Sequence, residues 1–254
     1  MPVLLGLALL VSACAGQNST LGSPVTLTVS AASNLMPALE EIGANFTQET
    51  GVELVFNFGA STQLAQQILQ GAPVDVFLSA GQAEIDLLLA ENRLLEETVT
   101  PFARGTLVLW QPESAGEEIT SLSALLQPGV RRIAIANPAY APYGAAARQA
   151  LQSQGLWDAL ADKIVYGSTA SHALQMAETG GVDAALTALS LSLTAGGRWF
   201  AVPAGDYEPL VQVAAVVADT PHTAQAQAFV QALSAAFARQ VWQSYGYELE
   251  ENTR

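Results

Sequence analysis

From residue 25 onward, short apolar runs alternate with longer stretches in which apolar positions recur at helical spacing. Val25 to Ser30, Val52 to Phe58, Val74 to Ser79, Thr106 to Trp110, Arg132 to Ala136, Ile164 to Tyr166 and Val211 to Ala218 read as strands. Helices fit Pro37 to Thr50, the run opening at Ser61, Gln82 to Glu91, Tyr143 to Gln154 and the Ala-rich span Ala224 to Tyr245. Gly51 and Gly155 stop the first and fourth of these, as glycine commonly does just past a helix. Such alternation predicts an α/β fold of parallel sheets with helices on both faces. Ligands of such sheets sit beyond the carboxyl ends of the strands, in the strand-to-helix loops.

One pattern occurs twice. Ser61-Thr62-Gln63-Leu64 opens a helix-like run that ends in Gly71-Ala72-Pro73-Val74-Asp75 and the apolar Val76-Phe77-Leu78. Thr169-Ala170-Ser171-His172 opens a second, ending in Gly180-Gly181-Val182-Asp183 and Ala184-Ala185-Leu186. Aligned on the two aspartates, Ser61 falls opposite Thr169. Each copy reads as a hydroxyl-rich helix start, an amphipathic helix, a glycine turn and a buried strand. A helix N-terminus carries free backbone N–H groups and suits an anion. Two of them, one per half, fit two lobes closing on one small ligand; any pair of βαβ units would also look alike.

The first residues break the pattern. Val3 to Val11 are apolar but too few for the ~20 residues a membrane-spanning helix needs. They meet Val11-Ser12-Ala13-Cys14, which resembles a bacterial lipobox: residues 1–14 are a signal segment and Cys14 the lipidated residue. No Lys or Arg precedes the apolar core, where a secretory signal normally carries one. Cys14 is the only cysteine, so no disulfide framework exists. Residues 15–24 are small, polar and aperiodic, a flexible tether. The expected location is extracytoplasmic, a lipoprotein anchored to a membrane at the periplasm or cell surface.

Charge narrows the partners. With 23 acidic against 9 basic residues, a formal charge of −14, nucleic acid and anionic membrane surfaces are repelled. Lys163 is the only lysine, and with few cations to spend a bound anion would be held by neutral dipoles. Small residues and hydroxyls gather in four loops that follow strands: Ala31-Ala32-Ser33-Asn34, Gly59-Ala60-Ser61-Thr62, Asn137 to Gly144, and Gly167-Ser168-Thr169-Ala170-Ser171. Taken singly, each Ser or Thr fits a helix N-cap. Capping does not explain why small residues recur in all four loops.

Ala31-Ala32-Ser33-Asn34, Phe58-Gly59-Ala60-Ser61, the segment Gln70 to Ala80 with its Gly-Ala-Pro-Val-Asp-Val-Phe core, and Pro142-Tyr143-Gly144 resemble the molybdate-binding proteins of bacterial ABC importers. Tyr245-Gly246-Tyr247 is similar to that family's C-terminal end, and the resemblance covers everything after the tether. It implies a two-lobed periplasmic-binding-protein fold of class II type, with parallel-rich sheets and two crossings between lobes. The lobes would be 25–104 plus 215–250, and 105–214. It implies capture of molybdate, and of tungstate too, by a monomer that delivers it to a membrane permease. The oxyanion-binding positions fall on Ser33, Asn34 and Ser61 in lobe one and on Tyr143 and Ala170 in lobe two. Ser33 and Ser61 would each give a hydroxyl and a backbone N–H; Tyr143 and Ala170 would give backbone N–H groups. A tyrosine that some members place on the last lobe-two strand falls here on Ala188. No cofactor is implied, and the metal enters only inside the oxyanion.

A fully deprotonated tetrahedral dianion accepts hydrogen bonds and donates none, so a pocket of donors suits it. Hydrogenphosphate would want a carboxylate, which none of the four loops offers, whereas sulfate differs from molybdate only in size. The same fold with another small anion (sulfate, phosphate or a small organic acid) is the alternative. An organic acid usually draws an Arg, and the loops hold none, with Arg104 and Arg148 only near lobe junctions. An enzyme is not expected: there is no Gly-x-Ser-x-Gly elbow, and His172 and His222 are the only histidines. His172 falls in the second motif copy as a solvated helix residue, and two distant histidines make no metal site.

Overall fold

The computed structural model describes residues 25–116 and 118–249. The expected signal segment 1–14 with Cys14, the tether 15–24 and residue 250 lie outside the described residues. The chain opens with β1 (Thr26–Ala32), a 3-10 turn (Ser33–Leu35) running into α1 (Met36–Thr50), β2 (Glu53–Gly59), α2 (Ser61–Leu69), β3 (Val76–Ser79), α3 (Gln82–Ala90) and β4 (Thr100–Gly105). It then forms β5 (Leu107–Gln111), β6 (Ile133–Ala136), α4 (Pro142–Ser153), α5 (Trp157–Leu160), β7 (Ile164–Gly167), α6 (Ala170–Glu178), β8 (Ala184–Ala188), α7 (Leu189–Ala195) and β9 (Arg198–Ala201). It closes with β10 (Leu210–Val216), α8 (Thr223–Ala232), α9 (Ala236–Ser244) and β11 (Glu248–Leu249).

These strands make two sheets, ordered β11-β4-β10-β3-β1-β2 and β7-β6-β8-β5-β9. In the first, β1 runs parallel to β2 and β3, while β10 is antiparallel to β3 and β4. In the second, β6 runs parallel to β7 and β8, while β5 is antiparallel to β8 and β9. The sheets are therefore mixed, not wholly parallel as strand–helix alternation alone suggests. The strand that arrives from the other sheet, β10 or β5, is antiparallel to both its neighbours, and in the first sheet β11 also runs antiparallel to β4. Only Thr106 separates β4 from β5, and residues 202–209 make the return. Because β10 lies wholly in the first sheet, that return is complete at Leu210, ahead of the expected start at 215.

The first sheet is covered on both faces. Alternate residues of β10 divide between them: Ala214 and Val216 pack with Leu39, Ile42, Phe46, Phe229 and Trp242 of α1, α8 and α9. Val213 and Ala215 pack with Leu64, Ile68, Ile85 and Leu88 of α2 and α3. Period-two burial in a strand against helical-period apolar faces is what the sequence pattern requires.

The twofold motif is structural. Helices α2 and α6 both end in a Schellman turn: Gly71 N–H and Ala72 N–H reach Ile68 O and Gln67 O, as Gly180 N–H and Gly181 N–H reach Ala177 O and Met176 O. Gly71 (φ 86°) and Gly180 (φ 74°) occupy the left-handed position that glycine enters without strain. The aspartates that follow do the same work. Asp75 Oδ2 accepts from Thr28 N–H of β1 at 2.7 Å, and Asp183 Oδ2 from Arg132 N–H beside β6 at 2.9 Å. Each backbone N–H of these aspartates returns a bond to the carbonyl of the same residue. Both thus pin the start of the neighbouring parallel strand, at the end of the sheet opposite the four loops.

Candidate functional site

Because β1, β2, β6 and β7 end on the same side of their sheets, the helix starts that follow them converge. The elements α1 with its leading turn, α2, α4 and α6 present residues 32–34, 59–61, 141–143 and 170 around one cavity. All five residues expected from the sequence, Ser33, Asn34, Ser61, Tyr143 and Ala170, line it together with Ala80 and Pro142. None of the five is more than 5% exposed. Its volume is about 10 Å³, against the ~300–1,000 Å³ of ordinary small-molecule sites. Larger hollows of about 410 and 650 Å³ lie at the far ends of the sheets, beside Asp75 and Asp183, without this convergence of helix starts.

Three of the four helix starts have alanine at the N-cap: Ala32, Ala60 and Ala141, none with a side-chain capping bond. Alanine at this position gives up ~0.5–2 kcal/mol relative to Ser, Thr, Asn or Asp. Ser33 and Ser61 stand one residue later, so they are not the caps their composition allowed. Only Thr169, N-cap of α6, behaves as a cap, its Oγ1 accepting from His172 N–H at 3.0 Å. Helix starts gathered around one small space give it a positive potential, since the first N–H groups of a helix lack partners within the helix.

Hydroxyl polarity adds to it. Ser61 Oγ accepts from Ala80 N–H at 3.2 Å, and Ser33 Oγ from Ser171 N–H at 3.4 Å. With a lone pair of each oxygen engaged, the proton of each hydroxyl is free for a guest. The cavity therefore offers donors from Ser33 and Ser61, matching a guest that only accepts.

Asn34 and Tyr143 contribute differently from the two serines. The Asn34 side chain donates to Gln212 Oε1 at 2.8 Å and lies 3.0 Å from Tyr247 Oη, so it is engaged with the first lobe behind the cavity. The Asn34 backbone carbonyl accepts from Tyr247 Oη and Ser190 Oγ, each at 2.8 Å. The Tyr143 ring runs back to the crossing, where a Cβ on Gly105 would overlap its hydroxyl. Among the described residues Tyr143 Oη finds no partner within hydrogen-bond geometry. Burial pushes this phenol well above the ordinary tyrosine range, Tyr247 and Tyr207 add to the rise, and the Asn34 amide works weakly the other way. Burial likewise raises Tyr247. What Tyr143 turns toward the cavity is the start of its helix.

Four bonds among the described residues cross between the lobes around this space: Ser171 N–H to Ser33 Oγ, Thr62 N–H to Tyr140 O at 3.1 Å, Ser190 Oγ to Asn34 O, and Tyr247 Oη to Ser190 Oγ at 3.1 Å. The lobes are closed on each other. At β8, Ala188 is fully buried and brings no side-chain donor, while neighbouring Thr187 Oγ1 donates to Ala170 O at 2.9 Å and holds that helix start.

Other candidates are placed elsewhere. His172 Nδ1 accepts from Ser168 N–H and lies 3.1 Å from Ser168 Oγ; neither Ser33 nor Ser61 bonds it. Arg148 lies over the Trp157 ring at 5.3 Å. Among the described residues no group of three or more His, Cys, Asp or Glu could hold a metal ion, and no helix is long and apolar enough to cross a membrane. One residue escaped sequence reading. Glu84, on α3, sends its carboxylate to Thr62 and Ser79 beside the cavity. It lies outside the four loops, and only the fold brings it there.

The family model of the bacterial extracellular solute-binding proteins matches residues 27–248. The molybdate-binding protein of Rhodobacter capsulatus is 34% identical over 220 residues, 86% of each chain. That of Azotobacter vinelandii is 34% identical over 253 residues, 98% of this chain and 96% of its own. A solved periplasmic molybdate-binding protein from Azotobacter vinelandii matches with a TM-score of 0.83 at 32% identity, covering 89% of this chain and all of that one. On a match that spans both sheets and the cavity between them, this chain belongs to the bacterial extracellular solute-binding proteins.

Proposed function

We propose that the protein captures molybdate, and tungstate as well, and hands it to the membrane permease of an ABC importer. One observation carries the reading: four helix starts, three of them capped by alanine, and two proton-presenting serine hydroxyls meet on a cavity of about 10 Å³. A tetrahedral dianion satisfies all of these donors at once, and amide dipoles stabilise its charge without a cation. Ser33, Ser61, Tyr143 and Ala170 hold it, the last two through backbone N–H groups, and Asn34 shapes the wall. The molybdate-binding relatives support the choice of ion. The protein works as a carrier without a reaction of its own, as a monomer, tethered outside the cytoplasm by a lipid on Cys14. It needs no cofactor and meets no nucleic acid.

Melting curves test the ion. Molybdate or tungstate at ~100 times its dissociation constant should add ~2.7 kcal/mol of stability. A curve unmoved by both but raised by sulfate, phosphate or a small organic acid would transfer the site to that anion.

A further inference from the structure

We propose that Glu84 is a positioning residue whose carboxylate both frames the Ser61 side of the cavity and opposes the charge of the bound anion. The inference rests on the oxyanion reading and deepens it. Glu84 is 8% exposed. Its Oε1 accepts from Thr62 Oγ1 at 2.7 Å and its Oε2 from Ser79 Oγ at 3.1 Å. Ser79 Oγ in turn accepts from Gly81 N–H at 3.1 Å.

This bridge runs beside the bond that aims Ser61. Thr62 follows Ser61, and Ala80, whose N–H meets Ser61 Oγ at 3.2 Å, follows Ser79. The Thr62–Glu84–Ser79 link therefore fixes the two chain segments whose spacing sets where the Ser61 proton points. Thr62 N–H also reaches Tyr140 O across the cleft, so the same bridge steadies a closure contact. By taking the protons of Thr62 and Ser79, the carboxylate keeps those hydroxyls from serving the anion.

Charge gives the second effect. A buried carboxylate near an anion repels it in proportion to the anion's charge, and little water screens it. The donors pull the dianion in; Glu84 keeps the closed cavity from holding it too long to be handed on. A frame alone would affect all tetrahedral oxyanions alike, whereas the charge affects dianions more than monoanions.

Tungstate and perrhenate separate the two effects, being tetrahedral oxyanions of similar size that differ by one charge. Calorimetry on the full-length protein should show Glu84→Gln shifting the affinity ratio toward tungstate by roughly tenfold, the scale of a unit-charge interaction across about 12 Å at an effective dielectric of about 20. Glu84→Asp keeps the charge but shortens the bridge, so both anions should weaken while their ratio stays at the wild-type value. An unchanged ratio in Glu84→Gln, with the variant folded by its melting curve, overturns the charge effect. Unweakened binding in Glu84→Asp overturns the frame. Wild-type protein that binds neither molybdate nor tungstate overturns the oxyanion reading itself, and this inference with it.

Discussion

Removing one oxygen, by Ser61→Ala, tests the polarity argument at its centre. In the structure that oxygen has two duties: it accepts from Ala80 N–H at 3.2 Å and leaves its own proton for the guest. Loss of the second duty removes one hydrogen bond to a charged acceptor, worth ~1.5–3 kcal/mol. The dissociation constant for molybdate should rise roughly 10- to 150-fold. It should not rise without limit, because the Ser61 backbone N–H at the start of α2 remains. Loss of the first duty acts on the unliganded protein. Ala80 is 1% exposed, so an N–H left unpaired there costs ~1–3 kcal/mol of folding stability. Titration calorimetry reads the first effect and urea unfolding without ligand reads the second. A variant that binds molybdate as tightly as wild type would refute the reasoning, because among the described residues no other side chain at that wall offers a proton. Lost affinity with unchanged unliganded stability would refute only the acceptor role toward Ala80.

Further expectations follow from buried groups away from that oxygen. Gly105→Ala places a methyl group onto the Tyr143 hydroxyl at the crossing, and overpacking of this kind costs ~1–3 kcal/mol, readable as a lower melting temperature; an unshifted melting curve would contradict the contact. Asp75→Ala strips acceptors from Thr28 N–H and from the Thr220 hydroxyl, so stability should fall by ~1–3 kcal/mol or more while molybdate affinity holds, since the site lies at the other end of the strands. The folded-state pKa values of Tyr143 and Tyr247 lie above the unfolded value of ~10, so their contribution is fully present below pH ~10 and is lost as pH rises beyond it. Unfolding free energy should therefore drop between pH 9 and 11, assay values chosen to bracket the unfolded pKa. Phenolate absorbance should show these two of the six tyrosines ionising only on unfolding; native titration of all six near pH 10 would contradict their burial.

Local chemistry made much of this legible in the sequence. The doubled Gly-to-Asp segment could be seen because a Schellman turn demands glycine and a strand start rewards a carboxylate, both short-range requirements. Ser33 and Ser61 stood out because each sits in a loop of small residues and hydroxyls after a strand and in a segment that carries the family resemblance; that an alanine takes the N-cap before each is a finding of the structure. Features set by distant residues stayed hidden. Strand β4 escaped because Pro101 and Arg104 interrupt its apolar pattern, and its pairing with β10 is specified more than a hundred positions away. The helical span after Ala224 is two helices, α8 and α9, broken near Leu233 without a glycine or proline to mark it; the carbonyl of Leu233 is taken by Trp242 Nε1 at 2.9 Å. The orientation of the Asn34 amide toward Gln212, and the reach of Glu84 to Thr62, likewise depend on which strands become neighbours.

The place of β10 inside the first sheet has a consequence for how the molecule is made. Synthesis proceeds from the N-terminus, so β1, β2, β3 and β4 leave the ribosome well before β10 exists. Until it arrives, β3 has a bare flank and β4 has no mate on the inner side. The lobe made first is finished last, after the whole of the second has emerged. A nascent chain stalled anywhere before Leu210 should stay open to proteases and to transport machinery that handles only unfolded polypeptide.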